Sequence, residues 1–197
     1  MIEKILSTIK RGEVVILPLE HSYVYACDAF NFSAVNRLHQ LRSDPPGVAA
    51  QVLIGKVQTL EGLAQGVTPE IKELVAAFWP GELTLNILRN QSLTWNLGDA
   101  GVLKEFAVRM PNQDQTLEVL RASGPLAVAS ATIAGGRPVR TPPLSANLTT
   151  LDIGELAEGS LSTVISARGS ELEVIRVGAL TLEALKKVVS AIELASE

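Results

Sequence analysis

Cysteine and histidine are scarce in this chain of 197 residues, which has one cysteine, Cys27, and two histidines, His21 and His39. No disulfide can form within the chain, so no oxidising compartment is implied. A structural zinc site takes about four nitrogen and sulfur ligands, more than these side chains supply without a carboxylate. Aromatic residues make up only 4%, which leaves little surface for stacking bases. A basic excess is missing too. Lys and Arg number 17 against 21 Asp and Glu, a net charge of -4 and the wrong sign for coating a phosphate backbone. The apolar runs Val14 to Leu17 and Pro125 to Ala129 fall far short of the ~18 residues of a membrane span. Met1-Ile-Glu-Lys-Ile-Leu puts acid and base in its first turn with no apolar stretch behind them, unlike a signal peptide. The expectation is a soluble, cytoplasmic protein whose 47% hydrophobic residues build one domain over 1–197.

Apolar spacing gives the element order. Ile2, Ile5, Leu6 and Ile9 share a helical face that Gly12 closes. Glu13 to Leu17, ended by Pro18, and Tyr23 to Ala29 read as strands. Ser33 is expected to cap a helix carrying Val35, Leu38 and Leu41, which stops at Asp44-Pro45-Pro46-Gly47. Gln51 to Ile54 reads as strand, and Leu60, Leu63 and Ala64 as a short helix. Thr68-Pro69-Glu70 is the clearest helix start, with Ile71, Leu74, Val75 and Phe78 on its face and Pro80-Gly81 ending it. Leu83 to Leu88 and Glu105 to Met110 are strand-like, Gln115 to Ala122 helical and Pro125 to Ser130 a strand. Leu161 to Ser166 and Glu171 to Val177 form a hairpin around Ala167-Arg168-Gly169-Ser170. Thr181 caps a last helix bearing Leu182, Leu185, Val188, Val189 and Ile192. Helices interspersed with strands in this uneven order predict an α/β fold with a mixed sheet.

Polar groups cluster at the ends of the apolar strands. Arg109 follows Phe106-Ala-Val, and Arg176 ends Glu171-Leu-Glu-Val-Ile. Ser130 and Thr132 end Pro125-Leu-Ala-Val-Ala, and Ser162 and Thr163 open Val164-Ile165. Ligands of α/β sheets bind at strand ends, and guanidinium forks with hydroxyls suit phosphate and carboxylate oxygens. The pattern suggests a site for an anion. Each residue also has an ordinary structural role open to it, since arginines at strand ends pair with acids and Ser or Thr make local turns. Cys27 reads as a buried small hydrophobe and His39 as a solvent-facing helix residue. His21 sits just past a strand, where a base is conceivable and a structural role commoner. Gly135-Gly136 lacks the lysine and spacing of a P-loop.

Six fragments, in order from about residue 12 to 188, resemble one family, the YrdC-like threonylcarbamoyl-AMP synthases. Glu13-Val-Val-Ile-Leu-Pro-Leu-Glu-His-Ser-Tyr23 resembles the strand and "PTET-x-YG" segment. Phe78-Trp-Pro-Gly-Glu-Leu-Thr84 resembles "WPGPLT", and Ala107-Val-Arg-Met-Pro111 resembles "AVRVP". Pro125-Leu-Ala-Val-Ala-Ser-Ala-Thr-Ile-Ala-Gly135 resembles "PL-x-x-x-SAN-x-SG". Ser162-Thr-Val and Ile175-Arg-Val-Gly-Ala-Leu-Thr181 resemble "STV" and "LRPGAIT".

This resemblance implies a twisted mixed sheet flanked by helices, with a large concave cleft. It implies synthesis of threonylcarbamoyl-AMP from threonine, bicarbonate and ATP with Mg²⁺, for threonylcarbamoyladenosine formation on tRNA by a separate transferase. Arg109 and one of Ser162 or Thr163 then hold threonine. Arg176, Ser130 and Thr132 face the nucleotide, Thr141 binds it near the phosphates, and Arg42, in the place of the lysine in the "KxR" pair, is the catalytic cation and binds the nucleotide too. The partners implied are these small molecules, with tRNA-modification proteins or RNA beyond them. No metal ligand is assigned. The departures are Leu19 and His21 in the "PTET" segment, Arg42-Ser43-Asp44 for "KxR", Gly47-Val-Ala-Ala50 for "KPL", and Thr132 for Asn. They motivate two alternatives: a related adenylating enzyme with another amino acid, and a family member without synthase turnover that binds a nucleotide or RNA. In the first expectation Arg137 and Arg140 help Arg42 to replace the lost cations.

Overall fold

Residue alternation along the strands sets the architecture of the computed structural model, which describes residues 1–143, 147–168 and 171–195. The elements follow in the order α1 (Ile2–Lys10), β1 (Val15–Pro18), β2 (Tyr23–Asp28), α2 (Phe32–Arg42), β3 (Gln51–Leu53), α3 (Thr59–Leu63), α4 (Pro69–Phe78) and β4 (Leu83–Leu88). Then come β5 (Glu105–Arg109), α5 (Asp114–Ser123), β6 (Leu126–Ser130), β7 (Thr149–Thr150), β8 (Thr163–Arg168), β9 (Glu171–Arg176), α6 (Leu182–Lys186) and β10 (Glu193–Leu194). All the described strands join one sheet in the order β10-β9-β8-β4-β5-β3-β6-β2-β1-β7. It is mixed, as expected: β3–β5 and β4–β8 are parallel, and β1–β2, β2–β6, β4–β5 and β8–β9 are antiparallel.

One face of the sheet carries the main core. Ile16, Tyr25, Val52, Leu83, Leu85, Val108 and Ile165 point to it and meet Val35 and Leu38 of α2, Ile71 and Leu74 of α4, and Leu185 of α6. Complete burial of each such side chain contributes roughly 1.5–3 kcal/mol. The alternate residues of β1, β2 and β6 point the other way. There Val15, Leu17, Val24, Leu126 and Val128 pack under Ile5 and Ile9 of α1 and Val119 and Leu120 of α5. Over β4, β5, β8 and β9 the same face is polar, with Thr84, Asn86 and Arg109 between the core residues. α1 and α5 therefore cover half of that face, and the other half stays open.

Several boundaries differ from the sequence reading. The cap of α2 is Asn31, whose side chain accepts from Ala34 N–H at 3.0 Å, two positions before Ser33. The last helix stops at Lys186, and Val189 and Ile192 reach the core from the turns that follow. β7 and β10 are two-residue strands completed by their neighbours β1 and β9, without an apolar run of their own. Gly169 and Ser170 of the expected hairpin turn lie outside the described residues. His39 faces inward: Nδ1 lies 2.8 Å from Asp44 Oδ2 and Nε2 2.8 Å from the Leu97 carbonyl oxygen. No described helix is long and apolar enough to cross a membrane.

Candidate active site

The open half of the second sheet face is the floor of a cleft of about 830 Å³. The β1–β2 turn brings Leu19, Glu20 and His21 to it, and β3 and β6 bring Gln51 and Ser130. Arg109 ends β5 and Arg176 ends β9, with Glu82 and Ser162 beside them. Arg137, Arg140 and the segment from Glu158 to Leu161 form the rim.

Backbone geometry aims each of the two inner arginines. After α4, the Trp79-Pro80-Gly81 turn is fastened by Trp79 Nε1, which donates to the Leu83 carbonyl at 2.6 Å, and by Gly81 N–H, which donates to the Met110 carbonyl at 2.9 Å. The Gly81 carbonyl then accepts from Arg109 Nε at 2.8 Å, and Glu20 Oε2 lies against Arg109 Nη2. Glu20 is itself held, since Oε1 accepts from Asn112 N–H at 2.6 Å. A register irregularity in β8–β9 pairs Val164 with Arg176 and skips Ile175, which turns Arg176 to the cleft face. Arg176 donates to the Ser162 carbonyl from Nη2 at 2.8 Å and to Ser162 Oγ at 3.2 Å. Burial, and then the positive charge of Arg109, push the Arg176 pKa down from its ordinary value. The pair repel each other, and an anion between them relieves that repulsion.

Hydroxyl groups complete the floor. Gln51 Nε2 donates to Thr84 Oγ1 at 3.0 Å, and Thr84 Oγ1 lies 2.9 Å from Ser162 Oγ. With Gln51 and Arg176 both donors, the buried Thr84 hydroxyl is satisfied when it donates to Ser162, which leaves the Ser162 proton for an acceptor in the cleft. Ser130 Oγ is buried without a hydrogen-bond partner among the described residues, and so is Arg109 Nη2 outside its ion pair. Both atoms belong to residues of this cleft. Orphaned buried polar atoms are uncommon, and a ligand or an ordered water can supply the partner.

Charge pairing divides the cations. Arg109 has Glu20, and Arg140 has Glu155 and Glu158. Arg176 and Arg137 have no carboxylate partner among the described residues. On the opposite wall His21 Nδ1 lies 3.2 Å from the Ala157 carbonyl oxygen and Nε2 lies 3.6 Å from Glu82 Oε1. A Cβ on Gly159 would fall 2.2 Å from the His21 ring, so only glycine admits this approach. Among the described residues no cluster of His, Cys, Asp and Glu could hold a metal ion.

Of the residues expected from sequence, Arg109, Ser130, Ser162 and Arg176 meet in this cleft, and four others lie outside its lining. Thr163 is wholly buried, and its hydroxyl donates to the Leu180 carbonyl while accepting from the N–H groups of Gly178 and Leu180. Ser162 is therefore the member of that pair on the cleft. Thr132 gives its carbonyl oxygen to Arg42 at 3.0 Å, and Thr141 is exposed on the loop beyond Arg140. Arg42 points at the Ser130 and Thr132 carbonyls from behind. Glu20, Gln51 and Thr84 belong to the site and were missed as functional residues. Glu20 and Thr84 sit inside fragments that the sequence singled out, and Gln51 carried no signal beyond a polar residue opening an apolar strand.

Comparison with known proteins shows the family and the fold. The family Sua5_yciO_yrdC, described as telomere recombination, matches residues 7–178. A Mycobacterium tuberculosis protein named putative threonylcarbamoyl-AMP synthase is 33% identical over 193 residues, 93% of this chain and 86% of its own length. The threonylcarbamoyl-AMP synthase of Pyrococcus abyssi is 30% identical over 197 residues, 94% of this chain and 56% of the relative. The structure of P. abyssi Sua5 complexed with L-threonine superimposes with a TM-score of 0.89 at 28% identity, over 98% of this chain and 58% of the other. The chain thus spans just over half the length of the P. abyssi protein. Escherichia coli YciO, at 17% identity, shares the fold with a TM-score of 0.76 over 93% of this chain and 92% of its own. The chain belongs to the Sua5/YciO/YrdC family.

Proposed function

We propose that this protein is an L-threonylcarbamoyl-AMP synthase, joining threonine, bicarbonate and ATP in the cleft. The observation that supports it best is the convergence of Arg109, Arg176, Ser162 and the unpartnered Ser130 hydroxyl on one hollow large enough for a nucleotide beside an amino acid. In this reading Arg109 and Ser162 hold the amino acid, with Glu20 and the Gly81 carbonyl fixing the guanidinium plane. Arg176 and Ser130 face the nucleotide. Arg137, the rim cation without a carboxylate partner among the described residues, meets the polyphosphate. The rim pairing of Arg140 with two glutamates leaves it the smaller part.

The chemistry asks for position and charge rather than for a nucleophilic side chain. The threonine amine adds to the carbon of bicarbonate and water leaves, giving the carbamate. A carbamate oxygen then attacks the α-phosphorus of ATP, and the bond to the bridging oxygen breaks to release pyrophosphate. Charge moves onto the departing group, where fixed guanidinium groups are worth most because they need no reorganisation. Mg²⁺ enters with ATP as part of the substrate. The cleft carboxylates Glu20, Glu82 and Glu158 each face a basic side chain, so they offer it no resident site. The product passes to a transferase that modifies tRNA in the cytoplasm.

Incubation with ATP, Mg²⁺, L-threonine and ¹³C-bicarbonate tests the proposal. Mass spectrometry is expected to find an adenylate carrying the label and the threonine mass. Absence of that adenylate, with an active family member positive in parallel, overturns it.

A further inference from the structure

Arg42 closes α2 with a side chain only 13% exposed. Its Nη1 donates to the carbonyl oxygens of Ser130 and Thr132, the second at 3.0 Å. Its own carbonyl oxygen accepts from Ala134 N–H at 2.7 Å. One residue thus grips the stretch from Ser130 to Ala134 at three points, from the side away from the cleft. On its other edge Arg42 Nε donates to Asp44 at 2.9 and 3.2 Å. Asp44 is 3% exposed, and its Oδ2 also meets His39 Nδ1. Ser43, with a left-handed φ of 55°, makes the bend that returns Asp44 over Arg42. Gly98 leaves room for His39, because a Cβ there would lie 2.1 Å from Nε2.

We infer that Arg42 is a positioning residue whose clamp, neutralised by Asp44, sets the direction of the Ser130 hydroxyl. This rests on the reading of the cleft as a nucleotide site. Two of the three guanidinium nitrogens are committed: Nε serves the carboxylate and Nη1 serves two carbonyls. The Asp44 charge is likewise consumed by Arg42 and His39, so it does not repel a polyphosphate. Ser130 Oγ has no side-chain or backbone partner among the described residues, and its aim depends on the backbone that Arg42 holds. The two residues that look like a broken phosphate cradle in the sequence form an internal tether.

Two variants separate tether from phosphate contact. Arg42→Lys keeps the charge and removes the fork, and Asp44→Asn keeps the shape and removes the charge. Hydrogen exchange on the ligand-free protein reads the tether directly. Amides from Ala131 to Gly136 are expected to exchange about tenfold faster in either variant, with β4, β5 and β8 unchanged. Unchanged exchange in that stretch overturns the inference. Calorimetry with AMP and with ATP then reads the role. A tether predicts that both ligands weaken by a similar factor, roughly fivefold or more for a lost hydrogen bond, in both variants. Weakening of ATP alone in Arg42→Lys, or tighter ATP in Asp44→Asn, marks a direct phosphate contact and overturns it. A wild-type protein that binds neither nucleotide ends the nucleotide reading and the role inferred from it, while exchange still decides whether the tether exists. Asp44→Asn carries both readouts if Arg42→Lys does not fold.

Discussion

Thr84 and Ser162 face each other across the starts of two parallel strands with their hydroxyl oxygens 2.9 Å apart. Gln51 feeds this contact from one side and Arg176 from the other, so four residues of four different segments share one line of hydrogen bonds. Thr84→Val keeps the shape and cuts the line in the middle. The expected cost is about 1–2 kcal/mol in urea unfolding, with weaker threonine binding as Ser162 loses its fixed rotor. Unaltered stability and affinity would contradict the arrangement.

Ser162 and Thr163 are adjacent, and the structure gives them opposite duties. Thr163→Val removes a wholly buried hydroxyl that serves one carbonyl and two N–H groups, for an expected loss of about 2–3 kcal/mol. Ser162→Ala is expected to keep most of the stability and lose ligand affinity. Paired denaturation and threonine calorimetry check both, and the reverse pattern would exchange the assignments.

Arg109→Lys replaces a planar fork shared by Gly81, Glu20 and the cleft with a single ammonium. Lysine cannot reach all three. Threonine affinity is expected to fall at least about tenfold, as for a lost charge-assisted pair. Retention of wild-type affinity by calorimetry would remove Arg109 from the amino-acid subsite.

Gly178 lies where β9 leaves the sheet, and a Cβ there would sit 2.1 Å from the Leu161 carbonyl oxygen and 2.7 Å from Ser162. Gly178→Ala must push the Ser162 backbone aside, at roughly 1–3 kcal/mol. Synthase turnover is expected to fall more steeply than thermal stability. An alanine variant with normal turnover would show that the close approach is dispensable.

Cys27 is buried in the main core, and burial, with Asp28 adding to it, pushes its thiol pKa up from 9.0 to about 12. The unfolded thiol ionises first. This contribution to stability is therefore complete below pH 9 and is lost as pH rises towards 12. Iodoacetamide at pH 8 is expected to label Cys27 only in denaturant, and rapid native labelling would mean that the core opens there.

Much of this was legible in the sequence because the relevant signals are local. Short apolar, β-rich runs marked β1, β2, β4, β5, β8 and β9, and the cap of α4 was written in Thr68-Pro69-Glu70, with Thr68 Oγ1 accepting from Ile71 N–H. Arg109 and Arg176 announced themselves as charges ending apolar strands. What stayed hidden depends on contacts remote in the chain. β7 and β10 exist because β1 and β9 offer edges, and no two-residue run reveals that. Arg42 has the right charge for a cradle, but only the packing shows its fork bonded to carbonyls 88 and 90 residues away. Asn31 displaced Ser33 as a cap because the chain enters α2 earlier than the apolar spacing suggests. His39 found its acceptors in Asp44 and in a loop 58 residues on.

The sheet that floors the cleft is one residue thick, with the main core directly on its other face. Val108 is packed in the interior while its neighbour Arg109 lines the cleft, and Leu83 is packed there while its neighbour Thr84 bonds the cleft residue Ser162. Any volume change under β4 or β5 is transmitted through a single peptide unit to a group in or beside the cleft. Engineering for heat resistance should therefore leave those two strands alone and work on the seam between α1 and α5, which borders the opposite half of the face.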